Sequence, residues 1–394
     1  MKMIFRSILG LILAFGLFSG EAWAFKLNPC MRVLTITDGS PSQEPVWKGN
    51  PCAIADAQLQ LAVHEHMTLA TIHTYGAPVH WSRNKFDPTG RLAYNYSSAH
   101  PWSMRDGVWH HTLALMQGTW WNDDPLMYLW GSGLDFTKGA YKFKQVFDIG
   151  ERSHYQGDVE NCDVRREQHL PRWSHFGSLQ HLHFMSTLDQ NHTAKERVEQ
   201  TTANAMVWME FAYKVAIGEI RPTDPLTPED EARLRLPSIA KNLCLSNPAN
   251  VKVRSLLARV GPSDAASLAY RNQITPDVAL GTMLHILQDS FSPAHTCRVR
   301  QDADGMVKAV LYDAYNYNEQ NHKEHGQKDK FPSWFKPLIT QGTHVYGNSP
   351  VVVGAWLIGA VDQKLDWQVV YSHLMETAFS VGRDTKIPMS MCLQ

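Results

Sequence analysis

Beyond its first two dozen residues the chain has no apolar run approaching eighteen residues, so none of it reads as a membrane span. It has no charge excess either. Thirty-seven basic residues face 38 acidic ones, for a formal net charge of −1, which argues against a broad basic track for long nucleic acid or an anionic membrane. No C-x-x-C spacing occurs, so a cysteine-only zinc site is not expected. Strict apolar–polar alternation is scarce and no internal repeat emerges, which argues against sandwich, barrel and solenoid architectures. Helical spacing is what remains, and an all-α chain is the natural expectation.

The 394 residues are 44% hydrophobic, ample for a core. Histidine (19) and tryptophan (13) are abundant; the first hints at metal, the second at apolar grooves. The N-terminus has the form of a secretory signal: basic Lys2 and Arg6, an apolar run from Ile8 to Phe18, then small Gly20, Ala22 and Ala24. Cleavage after Ala24 satisfies A-x-A and leaves Phe25 first, whereas cleavage after Ala22 leaves Trp23 first. A secreted or periplasmic, soluble mature chain is expected. Six cysteines follow: Cys30, Cys52, Cys162, Cys244, Cys297 and Cys392. An even count in an exported chain favours disulfides, with fifteen connectivities open. Cys30 with Cys52 would close a short loop, and Cys162 and Cys297, each beside a candidate ligand, are expected to pair.

Helical apolar spacing runs from Ala55 to about Thr74, from Trp109 to about Thr119, from Phe176 to Leu188, from Lys195 to Glu219 and from Glu229 to Arg259. Thr275-Pro276 reads as an N-cap followed by proline at the first helical position, and Ser349-Pro350 repeats the device before a last apolar segment to about Val361. Residues 77–107 and 131–175 read as irregular.

The densest chemistry lies in Gly281–Arg298, GTMLHILQDSFSPAHTCR. His285 and Asp289, at i and i+4 on a helix, project to one point. Pro293 ends the helix and His295 follows on chain that has turned. Imidazole and carboxylate at such spacing are zinc ligands in type. Other candidates are His64, His175 preceded by Asp163, and the i, i+4 pair His325 and Asp329. Asp158 and Glu160 in the same loop, or Asp124 in Trp121-Asn-Asp-Asp-Pro125, compete with Asp163 for the role of upstream carboxylate; a helix cap is the simpler reading of that last stretch. Lone histidines on apolar faces are more often satisfied core residues, and His66, His73, His110, His111, His181 and His183 are read that way.

These residues resemble the bacterial zinc-dependent phospholipases C and the related zinc-dependent single-strand nucleases. The family signature, H-x-x-x-D-x-x-x-x-x-H followed by H-x-x-x-(E or D), is matched by His285, Asp289 and His295 and then by His325 and Asp329. Ser174-His175-Phe176 resembles the family's histidine followed by an aromatic residue, and His64 its N-terminal histidine. The resemblance implies one compact multi-helix domain over 23–394, with 336–394 as a C-terminal helical extension. It implies about three zinc ions. One would be held by Asp163, His175, His285 and Asp289, and a second by His295, His325 and Asp329. The third would take His64, a bridging Asp289 and the free amine and carbonyl of Trp23, which favours cleavage after Ala22. Asp163 would also serve as general base. The implied activity is that of a phospholipase C acting as a monomer on phosphatidylcholine-type lipid at a membrane surface. Zinc-activated water would release diacylglycerol and a phosphorylated headgroup, with no stable nucleic-acid partner. A single-strand nuclease or nucleotidase is the alternative on the same fold.

Overall fold

The computed structural model describes residues 31–35, 42–45, 63–75, 107–125, 174–236, 251–258, 265–303, 306–329, 332–334, 346–382 and 387–393. Its helices are α1 Val63–Thr74, α2 Gly107–Trp121, α3 Ala194–Ala216, α4 Pro228–Arg233, α5 Val253–Leu257, α6 Ala265–Asp289, α7 His322–Lys328, α8 Pro350–Asp362 and α9 Trp367–Glu376. Two antiparallel pairs accompany them, β1 Met31–Thr35 with β2 Ser42–Pro45, and β3 Thr296–Ala303 with β4 Met306–Ala314. The described residues are thus mostly helical with small two-stranded sheets, and the all-α expectation is met only in part.

The 25-residue α6 is the axis of the core. Its contact with α2 is a backbone-to-backbone crossing at Gly118 and Gly281. A Cβ added at Gly281 would lie 2.2 Å from the Leu115 carbonyl oxygen and 2.6 Å from Gly118 Cα. Only glycine at both positions lets the helices approach so closely. Around that crossing Trp121 stacks on Trp208 of α3 with centroids 5.0 Å apart. The buried indoles keep their N–H groups satisfied: Trp208 donates to Thr282 Oγ1 and Trp121 to the Leu256 carbonyl. In α8, Leu357 and Ile358 are buried in the same core. Helices buried on most of their surface show little amphipathic periodicity, the condition of α8 and of the described side chains of α1 and α2.

Local signals account for several helix starts. Thr193 and Glu196 form a reciprocal capping box that opens α3. Ser349 accepts from Val352 N with Pro350 in the first turn, opening α8 as its sequence predicts. Three expectations fail. The Thr275-Pro276 pair does not start a helix, because α6 runs through Pro276. Proline there removes one ladder hydrogen bond, and burial of Tyr270, Ile274 and Val278 on the same helix outweighs it. The segment Phe176–Leu188 is not a long helix but carries a 3-10 turn, Gln180–His183, closed by Phe184 in the left-handed region at φ 49°. Its apolar spacing reflects buried residues on a tight turn rather than a helical face. The segment from Glu229 to Arg259 yields only α4 and α5 among the described residues.

A further departure from the helical expectation is the hairpin β3–β4. Its residues pair from Thr296↔Ala314 to Ala303↔Met306, and the sequence between the strands is Asp304-Gly305, a strong hairpin signal. Cys297 at its base bonds to Cys392 rather than to Cys162. The pairing is decided by the C-terminal segment, which returns across the hairpin: Leu311 N donates to the Ser380 carbonyl and Leu393 N to that of Arg298. Cys30, Cys52, Cys162 and Cys244 lie outside the described residues.

Candidate metal centre

Six imidazoles and three carboxylates converge where α1, α2, α6, α7, the 3-10 turn and the turn after α6 meet. They are His64, His175, His183, His285, His295, His325, Asp123, Asp289 and Asp329, and none is more than 1% exposed. Three carboxylates buried together are very costly unless cations compensate them.

Helix geometry places the central pair. His285 Nε2 lies 2.8 Å from Asp289 Oδ2, one turn on. Asp289 faces both ways: its Oδ1 is 3.4 Å from His64 Nε2, while Oδ2 is also 2.9 Å from His183 Nδ1. From the end of α2, Asp123 Oδ1 lies 3.5 Å from His175 Nε2 and 3.8 Å from His183 Nδ1, and Oδ2 lies 3.9 Å from His64 Nε2. A second focus forms beside it. His325 Nε2 is 2.9 Å from Asp329 Oδ2, again across one helical turn, and His295 Nε2 is 3.7 Å from Asp329 Oδ1. Four sets of donor atoms fall close enough to share an ion: His64–Asp123–His285, Asp123–His175–His183, His183–His285–Asp289 and His295–His325–Asp329.

The surrounding hydrogen bonds fix which nitrogen faces inward. His64 Nδ1 donates to Gln288 Oε1 at 2.6 Å, and Gln288 Nε2 in turn donates to Thr68 Oγ1. His285 Nδ1 donates to the Thr119 carbonyl at 2.6 Å and His295 Nδ1 to the His183 carbonyl at 2.7 Å. His325 Nδ1 donates to Gln320 Oε1. Each of these rings therefore carries its proton on Nδ1 and turns the Nε2 lone pair to the centre, the arrangement that orients metal-ligating histidines. Ser292 Oγ donates to Asp329 Oδ1 at 2.5 Å, leaving Oδ2 for the interior. Both oxygens of Asp123, Asp289 Oδ1, His295 Nε2 and Asp329 Oδ2 are buried without a hydrogen bond. Buried polar atoms are rarely left so. Orphaned donors of these types, aimed inward together, fit divalent metal ions.

Without metal the electrostatics are strained. Burial, reinforced by the neighbouring imidazole of His285, lowers His64 far below its ordinary pKa, and burial brings His285 down to about 3. Burial and then the Asp289 carboxylate push Asp123 well up. Burial pulls His295 down as well, but Asp289 and Asp329 together raise it to about 9. Asp329 is pressed below the carboxylate range in spite of burial, chiefly by His325 and His295.

Of the residues singled out in the sequence, His64, His175, His285, Asp289, His295, His325 and Asp329 are gathered here. Trp23 and Asp163 lie outside the described residues. Among the described residues the carboxylate that faces His175 is Asp123, next to the Asp124 that stands in the sequence as a rival to Asp163. His183, read as an ordinary core histidine, sits inside the cluster; His181, two residues away on the same turn, is buried outside it, with burial taking it to about 3. The local signal for Asp123 was a carboxylate pair at a helix end before Pro125. For His183 it is the aromatic that follows, Phe184, the same pairing that singles out His175. Comparison of the chain with protein-family models, characterised proteins and solved structures finds no match.

Proposed function

We propose that the protein is an exported zinc-dependent phosphodiesterase, a phospholipase C acting on phosphatidylcholine-type lipid. The observation that carries this reading is the two-faced Asp289. One oxygen addresses the donors around His64 and the other those around His285, with the His295–His325–Asp329 set alongside. Hydrolysis of a phosphate diester calls for closely spaced cations that hold non-bridging oxygens and lower the pKa of water toward 7, and zinc supplies this when bound. Imidazole with carboxylate is zinc's donor chemistry.

On this reading His64 and Asp289 Oδ1 hold one ion, with Trp23 as the remaining partner that the sequence resemblance implies. Asp123, His175, His285 and Asp289 Oδ2 hold a second, and His295, His325 and Asp329 a third. Asp123 takes the role first assigned to Asp163. Its two oxygens make no hydrogen bond, so one can ligate while the other accepts a proton from attacking water. Gln288, Thr119 and the His183 carbonyl keep the rings from turning. A cavity of about 520 Å³ borders this end of the site, lined by Pro293, Ala294, Gln320, Asn321, His325 and Lys328 among others. That volume suits the polar part of a phospholipid.

The deciding assay incubates the purified zinc-loaded protein with phosphatidylcholine vesicles and, separately, with single-stranded DNA. Diacylglycerol release is expected. Cleavage of DNA without diacylglycerol would replace the proposal with a nuclease on the same metals. Inertness toward both would leave a structural metal centre.

A further inference from the structure

His183 differs from its neighbours in which nitrogen it turns inward. Its Nε2 is 3.1 Å from the Asn122 carbonyl oxygen. A carbonyl only accepts, so the ring proton is on Nε2 and the Nδ1 lone pair faces the centre. There Nδ1 lies 2.9 Å from Asp289 Oδ2 and 3.0 Å from His285 Nε2, and those two atoms are 2.8 Å apart. His285 carries its own proton on Nδ1 toward Thr119. With Asp289 ionised, the three atoms of this triangle are all lone-pair donors with no hydrogen among them. They repel one another unless one positive centre lies in contact with all three. An ion about 2 Å from each donor satisfies a triangle of that size.

The backbone is arranged around this ring. His183 ends the 3-10 turn Gln180–His183, and the next residue, Phe184, holds the left-handed conformation, which disfavours a side chain of its size. Phe184 is fully buried and stacks on Phe379 with centroids 4.9 Å apart, so core packing maintains the turn. The carbonyl of His183 itself accepts from His295 Nδ1. One turn therefore offers a ring nitrogen to the central donor set and a carbonyl to the neighbouring one.

The geometry points to His183 as a direct metal ligand through Nδ1, completing an all-protein shell of Asp123, His175, His183, His285 and Asp289 around the central ion. This rests on the metal-centre reading above and goes beyond the ligand set implied by the sequence resemblance. It divides the labour of the centre. An ion with five protein donors has little room for substrate, whereas the three-donor set His295–His325–Asp329 keeps an open position, the mark of a catalytic site.

The test is long-range nitrogen–proton NMR of the full chain, labelled with nitrogen-15 histidine and loaded with cadmium-113, which reports metal-bound imidazole nitrogens by direct coupling. One imidazole coupled through Nδ1 is expected among others coupled through Nε2, and it should vanish in His183→Asn. That variant should also bind one ion at least 100-fold more weakly in chelator competition, a larger loss than removal of a hydrogen-bond partner of a ligand commonly gives. The unmutated protein decides the matter even if the variant does not fold. Couplings through Nε2 with none through Nδ1 would overturn this inference alone. No coupled histidine at all would overturn the metal-centre reading with it.

Discussion

The Gly118–Gly281 crossing makes the metal centre depend on two residues that touch no ligand. In Gly281→Ala the new methyl would stand 2.2 Å from the Leu115 carbonyl oxygen and 2.8 Å from Gly118 C, both backbone atoms that cannot rotate aside. Relief to ordinary contact near 3.5 Å moves α2 and α6 apart by roughly 1 Å. The bond from His285 Nδ1 to the Thr119 carbonyl, now 2.6 Å, then stretches to about 3.6 Å and ceases to be one. Overpacking costs ~1–3 kcal/mol, and the lost buried hydrogen bond a similar amount. The better helix propensity of alanine returns about 1 kcal/mol. A net destabilisation near 3 kcal/mol lowers Tm by about 4 °C in a chain of this length. Freeing His285 from its outer partner should weaken zinc binding about 10–100-fold. Thermal unfolding and chelator competition measure both effects. Gly347→Ala, whose nearest neighbour beyond the adjacent chain is 3.7 Å away, is the control and should change neither. Wild-type Tm and wild-type zinc affinity in Gly281→Ala would refute the claim that this crossing sets the site.

Three further outcomes follow from the same contacts. In the metal-free protein His295 is raised to about 9, above the ~6.5 of an unfolded histidine. Its stabilisation is therefore full below pH 6.5 and is lost as pH rises through 9. Metal-free Tm should fall across that window while zinc affinity at His295–His325–Asp329 rises, and a flat pair of profiles would count against the assignment. Replacing Cys392 with serine opens a link between residues 95 apart in sequence, removing about 4–5 kcal/mol of chain-entropy stabilisation; denaturant titration with and without reductant checks this. Arg298 is buried, with its guanidinium over Phe291, and donates to the carbonyls of Ser290, Ala309 and Ala378. Arg298→Met should cost on the order of 3–5 kcal/mol by stranding those acceptors, read from the same titration.

Short-range order was legible in the chain itself. His285 with Asp289 and His325 with Asp329 are pairs that one helical turn brings together whatever surrounds them, and Ser349-Pro350 starts a helix for equally local reasons. Two departures from that order are local too. Pro276 reads as a helix start because its cost is visible in sequence, while the burial that outweighs it is not. The dipeptide Asp304-Gly305 is a hairpin signal by sequence, but it stands in a chain whose apolar spacing is otherwise helical. What only the tertiary structure decided is which distant groups share a point. Asp123 faces the ring of His175 because two glycines let α2 cross α6 in contact. His183 enters the centre while His181 does not, because a turn locked by Phe184 aims one ring inward. Cys297 meets Cys392 because the C-terminal segment returns over the hairpin. A residue's chemistry and its helical neighbours are properties of sequence; the convergence of donors from six elements depends on packing, which no spacing along the chain encodes.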